Sequence, residues 1–127
     1  MRTAEEIYQK SLAILGEEDG EETAHFRRRA VGLINLVLSQ CYETDLALRG
    51  ESVPAVQELC QIDTLDQLVD ACDPVLLSPL PLGLAGYLIL EEEPARAAAL
   101  LEHYEREREL MRLRSRRGRR HKIRREY

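Results

Sequence analysis

Tryptophan is absent from this 127-residue chain, and a single phenylalanine stands against five tyrosines. With so few large aromatic anchors, aliphatic side chains and alanine must fill the interior, which favours helices. Cysteine is also scarce. Cys41, Cys60 and Cys72 form an odd set with no C-x-x-C pair, which excludes a disulfide framework and reads as reduced, mostly buried thiols in a cytosolic setting. Long apolar runs are missing as well. The longest uncharged stretch, Pro74 to Leu90, has 17 residues with three prolines and Ser78 among them, at the bottom of the membrane-spanning range. It reads as a buried core helix, so no membrane partner is expected. Met1 to Gly16 is acidic and amphipathic, unlike the basic start and apolar centre of a secretory leader.

Catalytic signatures are lacking too. No G-x-S-x-G, P-loop or dinucleotide fingerprint occurs. Glu22-x-x-His25 has the spacing used in di-iron bundles, but no second such pair accompanies it. His103 lies among Glu102, Glu105 and Glu107, the setting of an exposed, ion-paired histidine. Gly83 and Gly86 enclose Leu84 and Ala85, unlike the nucleic-acid clamp of a KH domain. The expectation is no enzyme, no catalytic residue, no metal and no cofactor.

What the chain does have is a sharp division of charge. Residues 1–111 carry 9 basic and 22 acidic side chains, and residues 112–127 carry 9 basic and 1 acidic. An acidic body with a basic tail is a signal about partners. One helical domain over residues 1–111, followed by a tail, suits a chain of this length.

Taken in order, Thr3 and Glu6 make a T-x-x-E capping box that opens a first helix. Ala4, Ile7, Tyr8, Ser11, Ile14 and Leu15 form its inward stripe, and Gly16 ends it. A second helix runs from Thr23 or Ala24 to Arg49, with Phe26, Ala30, Leu33, Ile34, Val37, Leu38, Cys41 and Tyr42 on its apolar face. Arg27, Arg28 and Arg29 sit at the wrong end for its dipole, so Glu17, Glu18, Glu21 or Glu22 is expected to compensate. Residues 51–73 form a less regular connector. In it Val53, Val56, Leu59 and Ile62 fit a short helix or an extended segment. Thr64 and Gln67 predict a brief helix over Leu65, Leu68, Val69 and Cys72, closed by Asp73-Pro74. A last helix starts at Pro94 and fades near Leu113, with Ala97, Leu101, Tyr104 and Met111 on one side. Beyond it Gly118 interrupts, and nine positive charges repel one another, which predicts a tail disordered alone. The fold class is all-α, a small bundle of about four main helices.

The stretch with the strongest pattern is LPLGLAGYLILEEE, Leu80 to Glu93. Ser78 is placed to cap it and Pro79 and Pro81 fit its first turn. Gly83 and Gly86, with Ala85 beside them, each cost about 1 kcal/mol of helix propensity against alanine. Close approach of a second helix is the expected compensation, so Gly83, Ala85 and Gly86 are assigned to close helix packing.

A proline-rich entry, an LP-x-GLA-x-x-L run, an acidic break and an Ala-rich helix carrying a tyrosine resemble the head-to-tail connector, or neck adaptor, proteins of tailed bacteriophages. Leu80, Pro81, Gly83, Leu84, Ala85, Leu88, Glu91 to Glu93, Ala98 and Tyr104 carry the resemblance. Leu82 and Gly86 depart from it. The resemblance implies a virion structural protein at the head-tail interface, assembled in the host cytoplasm. Such a protein binds the portal as a homo-oligomeric ring, meets a tail-side neck or stopper protein and continues the DNA channel. The partner-binding residues would be Arg112, Arg114, Arg116, Arg117, Arg119, Arg120, Lys122, Arg124 and Arg125, facing portal or packaged DNA. Docking of a disordered tail on the portal is the expected mode. The alternative is a small helical nucleic-acid-binding or protein-interaction module that uses the same basic tail.

Overall fold

The computed structural model describes residues 2–51 and 61–125, with side chains to residue 116. It is an all-α bundle with one two-stranded ladder: β1 (Arg2–Thr3), α1 (Ala4–Leu15), α2 (Ala24–Arg49), β2 (Leu68–Val69), α3 (Asp73–Leu77), α4 (Pro79–Leu88) and α5 (Pro94–Arg125). The apolar helix α4 lies at the centre, touching α1, α2, α3 and α5. Every residue from Pro79 to Gly86 is buried. No helix of the described residues is long and apolar enough to cross a membrane.

Caps set the two first helices. The Thr3 hydroxyl accepts from the Glu6 amide at 3.2 Å, and Gly16 closes α1 in the left-handed region at φ 71°. Gly50 closes α2 in the same way at φ 75°. A side chain there would be strained, which is why glycine stands at both ends. The inward stripe of α1 differs at one position: Leu12 is buried and Ile14 is 36% exposed. On α2, Phe26, Ala30, Ile34, Val37 and Cys41 are buried, with Leu33 and Leu38 packed beside them.

The basic ring at the start of α2 finds acidic partners other than those expected. Arg27 donates to both oxygens of Glu5 at 2.9 and 2.7 Å and to Asp19 at 2.5 Å, while its guanidinium lies 5.0 Å from the Tyr8 ring centre. Arg29 instead donates to the Leu88 carbonyl at 2.8 Å, tying α2 to the end of α4. Hydrogen bonds from Arg27 hold the carboxyls of Glu5 and Asp19 below their usual range. Such carboxylates stabilise the fold above their unfolded pKa, and the contribution is lost as pH falls through the lowered folded value. The stability difference between the native chain and Arg27→Gln is therefore expected to be fully present at neutral pH. It should shrink as pH falls below the ordinary carboxylate range, through the lowered folded values. Urea melts of the two proteins across this interval check it; a gap that widens in acid would reverse the assignment.

The segment after Gln61 departs most from expectation. The brief helix over Leu65 to Cys72 is replaced by a turn and the strand β2. Gln67 does not cap a helix: its side-chain oxygen accepts from the amides of Asp63 and Thr64. Leu68 and Val69 then alternate, with Leu68 56% exposed and Val69 buried, and pair antiparallel with Thr3 and Arg2. The carbonyls of Gln67 and Leu65 accept from the first amides of α1, at Ala4 (2.9 Å) and Glu5 (2.8 Å). Those amides have no partner inside their own helix, so the extended segment supplies what a local helix would not. Asn35 clamps both backbone groups of Ile62 at 2.9 Å each. Val53, Val56, Leu59 and Cys60 lie outside the described residues.

Asp73-Pro74 opens a helix instead of closing one, because proline is tolerated in a first turn. The buried carboxylate of Asp45 accepts from the Cys72 amide at 2.6 Å and pairs with Arg49 at 3.1 Å; Arg49 also reaches Asp70 at 2.9 Å. Both of its oxygens are thus engaged, as a buried carboxylate requires. Ser78 precedes α4 but its hydroxyl donates to Glu107 of α5 at 3.0 Å and makes no cap bond. α4 ends at Leu88, two residues before the last apolar one.

A candidate interaction surface on the last helix

α5 starts on a firm footing. The amide of Ala97 donates to the Glu93 carbonyl at 2.9 Å, and Arg96 reaches back to the Leu15 carbonyl at 2.8 Å. Its sequence is rich in Ala, Leu, Glu and Arg, all good helix formers. Glu-Arg pairs three residues apart, such as Glu105 with Arg108 at 2.8 Å and Glu109 with Arg112 at 2.7 Å, add to it.

The glycines of α4 form the seat for this helix. An ideal Cβ on Gly83 would stand 3.0 Å from Cε1 and 3.1 Å from Cδ1 of Tyr104. One on Gly86 would stand 2.8 Å from both Cγ and Cδ2 of Leu101. Ala85 between them is fully buried. The helices approach too closely there for a larger side chain.

Tyr104 is the anchor of the seat. Its ring is fully buried, and its hydroxyl donates to the side-chain oxygen of Gln40 at 2.5 Å. Gln40 donates in turn to the Tyr87 hydroxyl at 3.0 Å, while Cys41 Sγ lies 3.8 Å from the Tyr104 oxygen. Arg108 covers the arrangement, 5.2 Å from the Tyr104 ring centre and donating to the Gln40 carbonyl at 2.7 Å. Burial pushes the Tyr104 hydroxyl and the Cys41 thiol up, so both stay protonated at neutral pH. The Cys72 thiol is likewise pushed up to about 11 by burial. A protonated thiol is a poor nucleophile; the arrangement positions α2, α4 and α5.

Gln40 and Arg108 are the residues that sequence reasoning missed. Arg108 sits in an alternating Glu-Arg run that looks like a solvated face, and its one distinctive feature is its place four residues after Tyr104.

Met111 is the last residue shown buried on α5, at 4% exposure. Beyond it the helix does not fade near Leu113: it continues to Arg125, with Gly118 inside it. Arginine is a good helix former, and one interior glycine costs only about 1 kcal/mol. Of the nine basic residues, Arg112 is half exposed beside Glu109, and Arg114 and Arg116 are exposed. Arg117, Arg119, Arg120, Lys122, Arg124 and Arg125 occupy positions on the same helix. The structure brings all nine onto one element and sets them apart from Gly83, Ala85 and Gly86 in the core.

His25 and His103 each lie beside a glutamate: His25 meets Glu92 at 2.6 Å, and His103 meets Glu107 at 3.6 Å. Among the described residues no group of three or more His, Cys, Asp or Glu converges to hold a metal ion. No family model, curated protein or solved structure matches this chain.

Proposed function

We propose that this chain is a structural protein of a tailed-bacteriophage virion, a neck adaptor that binds the portal as a ring and extends the DNA channel towards the tail. Its partners are then the portal protein, a tail-side neck or stopper protein and further copies of itself. The observation that carries this reading is where the resemblance falls. The stretch from Leu80 to Tyr104 forms most of α4 and the first third of α5, at the centre of the bundle, so the residues that carry the resemblance belong to the scaffold. Ring formation uses heterologous, head-to-tail contacts, which close when the rotation between neighbours permits.

Native mass spectrometry of the protein alone and with its cognate portal tests the reading. The expected result is a closed ring on the portal, whether the free protein is monomeric or already assembled. A symmetric dimer that persists unchanged beside the portal would overturn it.

A further inference from the structure

We propose that the C-terminal part of α5, Arg112 to Arg125, binds B-form duplex DNA through its phosphates, without choice of sequence. Three observations carry this. First, the segment has nine basic residues and no acidic one, and it is helical throughout. Second, those nine positions go all round the helix. At 3.6 residues per turn no gap between neighbouring basic positions exceeds about 60°. Third, the segment stands beyond the last residue shown in the core, Met111.

The distribution of charge decides between a protein groove and DNA. A helix that docks in a protein groove presents apolar anchors at i, i+3, i+4 and i+7. Here the apolar residues are Leu113 and Ile123, ten positions apart, which make no such stripe. A helix in the major groove of B-DNA has phosphates on both walls and gains from charge on every side. The groove is about 12 Å wide, and a helix with its side chains is about 10–12 Å across.

Repulsion from the acidic body does not prevent this. Fourteen helical residues span about 21 Å, whereas the screening length at 0.1 M salt is about 10 Å. The outer half of the arm is therefore more than one screening length along the helix from Met111. Because the helix is already formed, binding also escapes much of the ordering cost that a disordered tail would incur.

The inference stands apart from ring formation, and mass and DNA binding report on the two separately. The test is fluorescence anisotropy of a labelled 30-base-pair DNA duplex with the full-length protein between 50 and 200 mM salt. Log K should fall against log salt with a slope between about −4 and −8, a loss of roughly 10²- to 10⁵-fold over that range. The variant Arg114→Gln/Arg117→Gln/Arg120→Gln/Arg124→Gln should keep its helical circular dichroism and flatten the slope by about 3 to 4. Arg28→Gln, an exposed change on the body, should leave the slope unaltered. An RNA duplex of the same length should bind at least about tenfold more weakly, since its deep, narrow major groove does not admit a helix. No binding at 50 mM salt, an unchanged slope in the four-site variant, or equal affinity for RNA would overturn the proposal. So would salt-sensitive self-association that the four-site variant abolishes, which would give the arm to a second copy of the chain.

Discussion

Tyr104→Ala is expected to destabilise the bundle by about 3–5 kcal/mol, the usual cost of removing a buried aromatic ring. The ring is fully buried where α5 crosses α4, so its loss leaves a cavity over Gly83, where α4 has no side chain to fill it. The loss is more than volume. The Gln40 oxygen loses its donor and Arg108 loses the ring beneath it. For a domain of this size the thermal midpoint should drop by roughly 10–25 °C. Tyr104→Phe separates the two contributions. It keeps the ring and removes only the hydroxyl, so about 1–2 kcal/mol is expected from the lost hydrogen bond to Gln40. Thermal melts of both variants decide the matter. If Tyr104→Ala melts within a few degrees of the native chain, the crossing of α4 and α5 is not the centre of the fold.

The same residues show how much of the molecule can be read from sequence. The boundaries of α1 and α2 were legible because local chemistry sets them: the Thr3 hydroxyl at one end, Gly16 and Gly50 at the others. The packing role of Gly83 and Gly86 was legible for a related reason, since two glycines in an apolar helix need a compensating contact. The segment from Asp63 to Leu77 was not legible. What fixes it comes from afar: Asp45 on the Cys72 amide, Asn35 on Ile62, and the free amides of α1 on Leu65 and Gln67. Short elements contain too few residues for periodicity to tell a strand from a turn of helix, so distant partners decide. The acidic partners of Arg27 were misplaced for a similar reason. Nearness in sequence favoured Glu17, Glu18, Glu21 and Glu22, while the fold delivers Glu5 from α1 and Asp19 from the loop. The length of α5 was underestimated because a glycine and a run of like charge were weighed as helix breakers. Arginine's propensity over many residues outweighs one glycine.

Leucine at Gly83 or Gly86 is expected to overpack the crossing and cost about 1–3 kcal/mol at either site. Alanine is the more discriminating change, because the two glycines face neighbours of different freedom. At Gly83 a Cβ meets the Tyr104 ring at 3.0–3.2 Å, and that ring is held by its hydrogen bond to Gln40 and by Arg108. The ring cannot retreat without breaking those contacts. Gly83→Ala should therefore destabilise the protein even though alanine gains about 1 kcal/mol of helix propensity. At Gly86 the tightest contact is with the Leu101 side chain, which is only partly buried and can turn towards solvent. The clash is relieved by a rotamer change of about 0.5–1.5 kcal/mol, close to what alanine gains. Gly86→Ala should thus melt within a few degrees of the native chain. The ordering native ≈ Gly86→Ala, then Gly83→Ala, then both leucine variants is the expected result of thermal melts. Adding Tyr104→Phe to Gly83→Ala tests the cause: once the hydroxyl no longer pins the ring, alanine at position 83 should cost less than it does in the native background. An alanine penalty that stays the same in the two backgrounds would mean that the ring is held by packing alone, with no part played by its bond to Gln40.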